Sequence, residues 1–256
     1  MKWFTKKKQP ETPTPEMYTE EEMAAVESHI AEHFGKFDNV LHEILSLDIH
    51  VDIAIVKPTP ERNYYTLVTM GMGAHRMSIP PEVAEHMREQ GFQIDRAELM
   101  ICLPPDWILN HGDFEAVDGD APEYALDHPA HENWYWPLRW LKIIARLPKE
   151  NNTWIGYGHT IPNGPDATPF AENTKLGCIM LVPPIQFGEL EAQVCEMPDG
   201  SQVVFYQMLP LYADEMNFKL ENDADLLLEK FSDDLEMEDM FVLDISRPSV
   251  VEDNQI

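Results

Sequence analysis

Gly71-Met72-Gly73 follows an apolar run, residues 64–70 (YYTLVTM), and a strand running into Gly-x-Gly is how a dinucleotide-binding turn begins. That turn needs a third glycine three positions on, at the start of a long helix whose N-terminus holds the pyrophosphate. Here Arg76 stands at the third position, and Pro80-Pro81 follows before a crossover helix has room to form. The expected role of the two glycines is a sharp strand exit, with backbone angles that other residues resist.

The other chemistry-bearing residues are weaker signals. His29 and His33 stand four apart on an expected helix and could share a metal, but they lie off its apolar stripe, and a solvated helix face is the expectation. Between His111 and Glu132 lies a denser cluster, with Asp113, Asp127, His128 and His131. Loops of this composition can bind zinc and activate water, although the spacing matches no established ligand pattern. A metal-assisted hydrolase built on this loop is the alternative reading. Asp106 beside Trp107, and His159, are conceivable acid–base groups, but among 46 acidic residues such pairings carry little information. No Gly-x-Ser-x-Gly nucleophile elbow occurs. No motif carries catalytic spacing, so no catalytic residue, metal or cofactor is expected. Cys102, Cys178 and Cys195 are far apart and each sits in an apolar run, which predicts buried, inert thiols in a reducing compartment, the cytoplasm.

The elements that would carry these residues alternate in type. Thr19-x-x-Glu22 is a capping box, and Met23, Val26, Ile30 and Phe34 recur at helical spacing up to Gly35. Ile49, Val51, Ile53 and Ile55 alternate with mostly polar residues, a half-buried strand over residues 47–56. Further strands are predicted over 64–70, 98–103, 153–161 and 176–182, with a short helix starting at Pro80-Pro81. Residues 110–133 read as a polar loop. Pro137 suits the first position of a helix to Leu147, at whose start Trp134, Trp136 and Trp140 crowd as core anchors. A hairpin is marked at residues 190–209 around the turn Met197-Pro198-Asp199-Gly200, closed by Pro210, and two helices follow over 212–220 and 223–231. Hairpin signals outnumber β-α-β spacings. The expected fold is α+β, with a mixed, largely antiparallel sheet and flanking helices. The expected organisation is a flexible segment over 1–18, a single domain over 19–232 and an acidic tail over 233–256.

Charge narrows the partners. Lys and Arg total 18 against 46 Asp and Glu, a formal charge of −28 in 256 residues. Nucleic-acid backbones are repelled by such a surface, whereas a basic protein is drawn to it. No run of about 18 apolar residues is present, so no membrane span is expected. The densest negative stretch holds Asp223, Asp225, Asp233, Asp234, Glu236, Glu238 and Asp239, the candidate docking surface for a basic protein partner; a solvated tail is the bland alternative.

Several ordered segments together resemble the Suppressor of fused domain: Asp52-Ile53 with Pro58, then residues 67–72 (LVTMGM), then 98–107 (ELMICLPPDW) and 133–147 (NWYWPLRWLKIIARL). Residues 153–164, 179–184, 203–212 with Glu215, and 225–231 continue the resemblance in order, over about residues 47–232. The resemblance implies a mixed α+β, protein-binding domain without a known catalytic centre. The animal founding member is a cytoplasmic protein that clamps an extended peptide of a transcription factor between this domain and a second one. After residue 232 this chain has no second domain of comparable size, and it is more similar to bacterial members proposed as immunity proteins against toxins. An acidic inhibitor of a basic toxin is the function the resemblance and the charge imply together.

Overall fold

Thr19 caps the first helix as its spacing predicts: its hydroxyl accepts the Glu22 N–H (3.2 Å) while the Glu22 carboxylate accepts the Thr19 N–H (2.9 Å). Helix α1 (Glu20–His29) widens into a π-turn over Ile30–Phe34 and stops at Gly35, whose φ of 129° few side chains tolerate. The computed structural model describes residues 14–46, 48–109, 131–188, 190–235 and 240–251.

The strands are β1 (Phe37–Leu41), β2 (Asp52–Val56), β3 (Tyr65–Met70), β4 (Ala97–Leu103), β5 (Thr160–Pro162), β6 (Cys178–Val182), β7 (Val194–Glu196) and β8 (Gln202–Leu211). They form one mixed sheet in the order β1-β2-β3-β4-β8-β6-β5, with β7 added to the start of β8. Among these strands β4 and β8 pair in parallel and the other pairings are antiparallel. The remaining helices are α2 (Pro81–Glu89), α3 (Glu132–Asn151), the single turn α4 (Leu190–Gln193), α5 (Ala213–Glu221) and α6 (Ala224–Asp234).

Both sheet faces are covered, which is why β2 is buried at every position rather than at alternate ones. On one face α3 sets Trp136, Leu141 and Ile144 against Ile53, Leu67, Leu99 and Ile101. On the other, α1 packs Val26, Ile30 and Phe34 on Ala54, Val68, Met100 and Phe205. Next to it, Leu227 and Phe231 of α6 pack on Met180, Leu209 and Leu211. Fully burying each of these side chains contributes on the order of 2 kcal/mol.

Three departures from the expected elements have local causes. Helix α3 starts five residues before Pro137. Proline has no N–H for the carbonyl of Asn133, and the Asn173 side chain donates to that carbonyl instead (3.2 Å). Pro210 does not close β8 but lies inside it, opposite Ile179. Residues 190–193, expected as strand, form the turn α4, so the hairpin is only β7 with β8.

The chain ends also differ from expectation. Glu16 bridges to Ile49 and Tyr18 is buried, so the ordered body begins before residue 19. Residues 240–251, expected to be part of a solvated tail, bury Phe241, Leu243, Arg247 and Val250. Their acidic neighbours dominate the local composition, but the apolar residues find room against α6 and the sheet.

Candidate functional site

The glycine turn that opened the sequence reading is an anion cradle, and the chain fills it itself. Glu98, on β4 and fully buried, points its carboxylate into the turn. Its Oε1 accepts the N–H groups of Gly71 (2.8 Å) and Gly73 (3.1 Å) and the Tyr18 hydroxyl (2.7 Å); its Oε2 accepts the Thr69 hydroxyl (2.6 Å). Consecutive backbone N–H groups in such a bend form a nest for negative charge, the same physics as a phosphate turn. A Cβ on Gly71 would stand 2.0 Å from the His50 carbonyl oxygen, and one on Gly73 2.2 Å from the Tyr18 hydroxyl, so neither position has room for a side chain. Burial pushes the Glu98 carboxyl above its ordinary range, while the Thr69, Gly71, Tyr18 and Gly73 donors hold it down against that effect. Burial, and then the Glu98 charge, raises Tyr18 well above the usual phenol.

Arg96 closes this network from the side. It donates to the Gly73 carbonyl (2.6 Å), the Ser201 hydroxyl (2.9 Å) and Glu22 (2.6 Å), and it lies over the Tyr18 ring. The N-terminal segment, the glycine turn, β4 and the β7–β8 turn are thus joined through one buried polar cluster. The outcome is structural: the turn aims the N–H groups of Gly71 and Gly73 at an anion, and an internal carboxylate occupies that place.

Of the other sequence candidates, His29 and His33 stay together, with ring centroids 4.5 Å apart, and the rest are dispersed. His29 is buried, not solvated; its ring stacks on Phe205 (4.8 Å between centroids), and its Nε2 lies 3.2 Å from the Ala192 carbonyl. The correction arises because α4 covers a second side of α1. Burial lowers the His29 pKa from its ordinary 6.5 to about 4. The unfolded chain therefore takes up a proton below about 6.5, and the folded one only below about 4. The contribution of His29 to stability is constant above pH 6.5 and falls as pH drops between these values, by roughly 3 kcal/mol in full. His29→Phe is expected to remove that acid-side decline in urea titrations at pH 7, 5.5 and 4; an unchanged pH slope counts against a buried neutral imidazole.

The residues 110–130 of the proposed hydrolase loop, including His111, Asp113, Asp127 and His128, lie outside the described residues. His131 stacks on Tyr135 and Glu132 pairs with Arg139 (2.7 Å). Among the described residues no group of three or more His, Cys, Asp or Glu side chains is arranged to hold a metal. Asp106 is exposed on a turn, and His159 lies against Trp154, 4.3 Å between ring centroids. All three cysteines are free and buried, and burial pushes Cys102 to about 11, Cys178 to about 12 and Cys195 to about 11. One cluster was not singled out in the sequence: Ser46 Oγ lies 2.8 Å from His50 Nδ1, and His50 Nε2 lies 3.1 Å from Asp52. The order imitates a hydrolytic relay, but the Ser46 hydroxyl donates to Glu43 (2.6 Å), which engages the proton a base would have to remove.

What remains is surface. Sheet edges are β1 at one end and β5 at the other. The Leu181 N–H donates to the His159 carbonyl (3.0 Å) and the Asn163 N–H to that of Gly177 (2.8 Å). Ile161, opposite Ile179, therefore turns its backbone groups toward β6 and Thr160 turns its own outward, whereas Pro162 has no N–H and its carbonyl accepts the Gly164 N–H (3.0 Å). Beside this edge Gly158 lies against Ala224, at the start of α6, and the Tyr157 hydroxyl donates to Asp225. Burial, then that hydrogen bond, raises the Tyr157 pKa. Asp225, Glu229 and Asp233 recur every four residues and are all exposed, an acidic ridge along α6 with Leu226 exposed next to it. Asp223 caps the helix, accepting the Leu226 N–H at 2.8 Å. Asp234 is the last residue of α6, and Glu236, Glu238 and Asp239 lie outside the described residues. No described helix is long and apolar enough to cross a membrane.

Known structures share this architecture. The chain is similar to a SUFU (suppressor of fused protein) homologue from Neisseria gonorrhoeae FA 1090, with a TM-score of 0.57 and 18% identity over 90% of this chain and 97% of that one. It is similar to a chain of a Sufu–Fu complex, with a TM-score of 0.56 and 16% identity over 93% of each. Against Drosophila Suppressor of Fused the TM-score is 0.57 and the identity 16%, covering 90% of this chain and 51% of the fly protein. At these identities the likeness speaks for the fold. No match is found among curated proteins. The family model described as Suppressor of fused protein (SUFU) matches residues 48–248, from before β2 to beyond the packed Arg247. The chain belongs to the Suppressor of fused (SUFU) family.

Proposed function

We propose that this protein is a non-catalytic binding module that captures an extended, basic segment of a partner protein along the outer edge of β5. The observation that carries the reading is that edge, which pairs with no further strand among the described residues and is flanked by the acidic ridge of α6. An incoming strand meets the outward N–H and carbonyl of Thr160, which supply sequence-independent affinity, while the Pro162 carbonyl is already held by the Gly164 N–H. The carboxylates of Asp225, Glu229 and Asp233 and the exposed Tyr157 and Leu226 select for basic residues beside apolar ones. Lys219, near His159, and Lys230, on α6 itself and drawn over the Phe218 ring, are counter-charges in this area and limit how close a cation comes to the strand. The formal charge of −28 speeds the encounter with any basic protein. One matched structure is a complex of Sufu with Fu, which supports protein binding as the role of the fold. A stoichiometric, immunity-type inhibitor of a basic toxin is the specific form we favour, because inhibition requires capture and no chemistry. Its place of action is the cytoplasm on this reading.

Pull-down from the cells of origin, with mass spectrometry of the captured protein, tests it. Retention at about 50 mM salt and loss at about 500 mM is expected for an association steered by charge. Asp225→Lys with Asp233→Lys should weaken capture on the order of tenfold while leaving the fold intact. Capture that is indifferent to both salt and charge reversal would remove the β5 edge from consideration.

A further inference from the structure

Strands β4 and β8 run side by side only from Ala97 opposite Val204 to Met100 opposite Gln207. Beyond that point they part, and residues 241–247 of the same chain enter the gap. Val242 bridges to Cys102 on β4, with the Leu243 N–H donating to the Cys102 carbonyl at 2.9 Å. On the β8 side the contacts come from side chains: Gln207 Nε2 donates to the Phe241 carbonyl (3.1 Å), and Arg247 donates to the Pro210 carbonyl (3.0 Å). Phe241 joins the core beneath α6 and Leu243 the core beneath α3. The segment is held by anchors, not by a continuous ladder, and its strongest anchor is a guanidinium in a socket. Arg247 makes a bidentate pair with Glu215 (2.5 and 2.6 Å), between the rings of Phe231 (4.7 Å) and Tyr212 (5.0 Å). Glu215 is fully buried, so without the segment the socket presents an unpaired carboxylate framed by two aromatic rings.

We propose that the gap between the diverging ends of β4 and β8 is a peptide-accepting slot, occupied here in cis by residues 240–251. The partner it fits is a segment of another protein with apolar residues two apart, then a turn, and an arginine four residues beyond the second, the spacing of Phe241, Leu243 and Arg247 around the turn at Ile245–Ser246. Three features favour exchange of the cis segment for such a partner. The backbone pairing is sparse, so local opening exposes few ladder bonds. An open cleft of about 820 Å³, lined in part by Lys175, Asp214, Ser246 and Ser249, runs alongside Arg247 and lets a competitor approach the socket. The protein's negative charge concentrates cationic segments near it. This slot is separate from the β5 edge, and either can fail without the other.

The test uses the full-length chain and a fluorescein-labelled peptide of sequence MFVLDISRPSVV, the segment's own residues 240–251, read by fluorescence anisotropy. Arg247→Ala loosens the cis segment and leaves Glu215 free; it should bind the peptide at least tenfold tighter than the unaltered protein. A peptide with its arginine replaced by alanine should lose at least tenfold. Leu243→Ala, which loosens the segment while keeping Arg247, guards against a variant that fails to fold, and circular dichroism establishes which variants are folded. In the unaltered protein, hydrogen exchange at Leu243 and Val250 should proceed through a local opening, faster than exchange in the middle of β4 and β8. Absence of capture by the folded variants overturns the proposal. So does exchange of Leu243 and Val250 only with global unfolding. A dimer that grows with concentration, without peptide capture, overturns it in favour of segment exchange between two copies of the chain.

Discussion

Glu98→Ala is expected to lower the free energy of unfolding by about 3–5 kcal/mol, a shift of roughly 1–2 M in the urea midpoint. The size follows from what the carboxylate leaves behind. The N–H groups of Gly71 and Gly73 and the hydroxyl of Tyr18 converge on one oxygen, in a place where water has no access. Removing their shared acceptor strands three donors at once, and each buried donor without a partner costs about 1–3 kcal/mol. Glu98→Gln keeps the shape but places an amide where only an acceptor suits all the neighbours, so it too should destabilise, by less than alanine. Tyr18→Phe removes one donor from a carboxylate that keeps three others and should cost only about 1 kcal/mol. The cradle also makes a chemical prediction: formate should partly restore Glu98→Ala, because a small carboxylate can enter the vacated nest, whereas chloride at equal ionic strength should restore less. A loss below about 1 kcal/mol in Glu98→Ala would show that the turn holds its conformation without an anion.

The second large effect is at the other end of the sheet. Arg247→Ala should cost about 3–5 kcal/mol, since it leaves the Glu215 carboxylate buried and unpaired. Glu215 also accepts the Val250 N–H (3.0 Å) and the Tyr212 N–H (2.9 Å), so Glu215→Ala should free the C-terminal segment and the start of α5 together. In a double-mutant cycle, Arg247→Met with Glu215→Leu should lose clearly less than the sum of the single changes, because the second substitution removes the uncompensated charge created by the first. Additive losses in that cycle would mean that the pair is not coupled. Protection of residues 240–251 from hydrogen exchange should fall in both single variants, and to a lower level than that of β2 and β3, which open only with the whole domain.

Much of this architecture was legible because its signals are local. A capping box needs only Thr19 and Glu22, whereas the alternation from Ile49 to Ile55 located a strand but not its bounds, Asp52–Val56, nor its burial on both faces. Pro81 opening α2 and Gly200 in the β7–β8 turn, with φ of 78°, are likewise consequences of single residues. The same logic misread His29, since periodicity reports one apolar face and α1 is covered on two. It misread the C-terminal segment as well: between Asp214 and Asp244 the chain carries 12 acidic residues, and composition hid the apolar positions that pack.

The amino-acid sequence alone determined the class of fold, the family resemblance, the acidic character and the need for glycine at residues 71 and 73. Only the tertiary structure decided what those glycines hold. Glu98 stands 27 residues from Gly71, and nothing in its surroundings, an otherwise apolar strand, says which donors it will meet. Likewise Arg247 and Glu215 are 32 residues apart, and their pairing turns an apparent tail into part of the core. Backbone propensity acts over a few residues, whereas a buried charge must find its partner wherever the folded chain brings one.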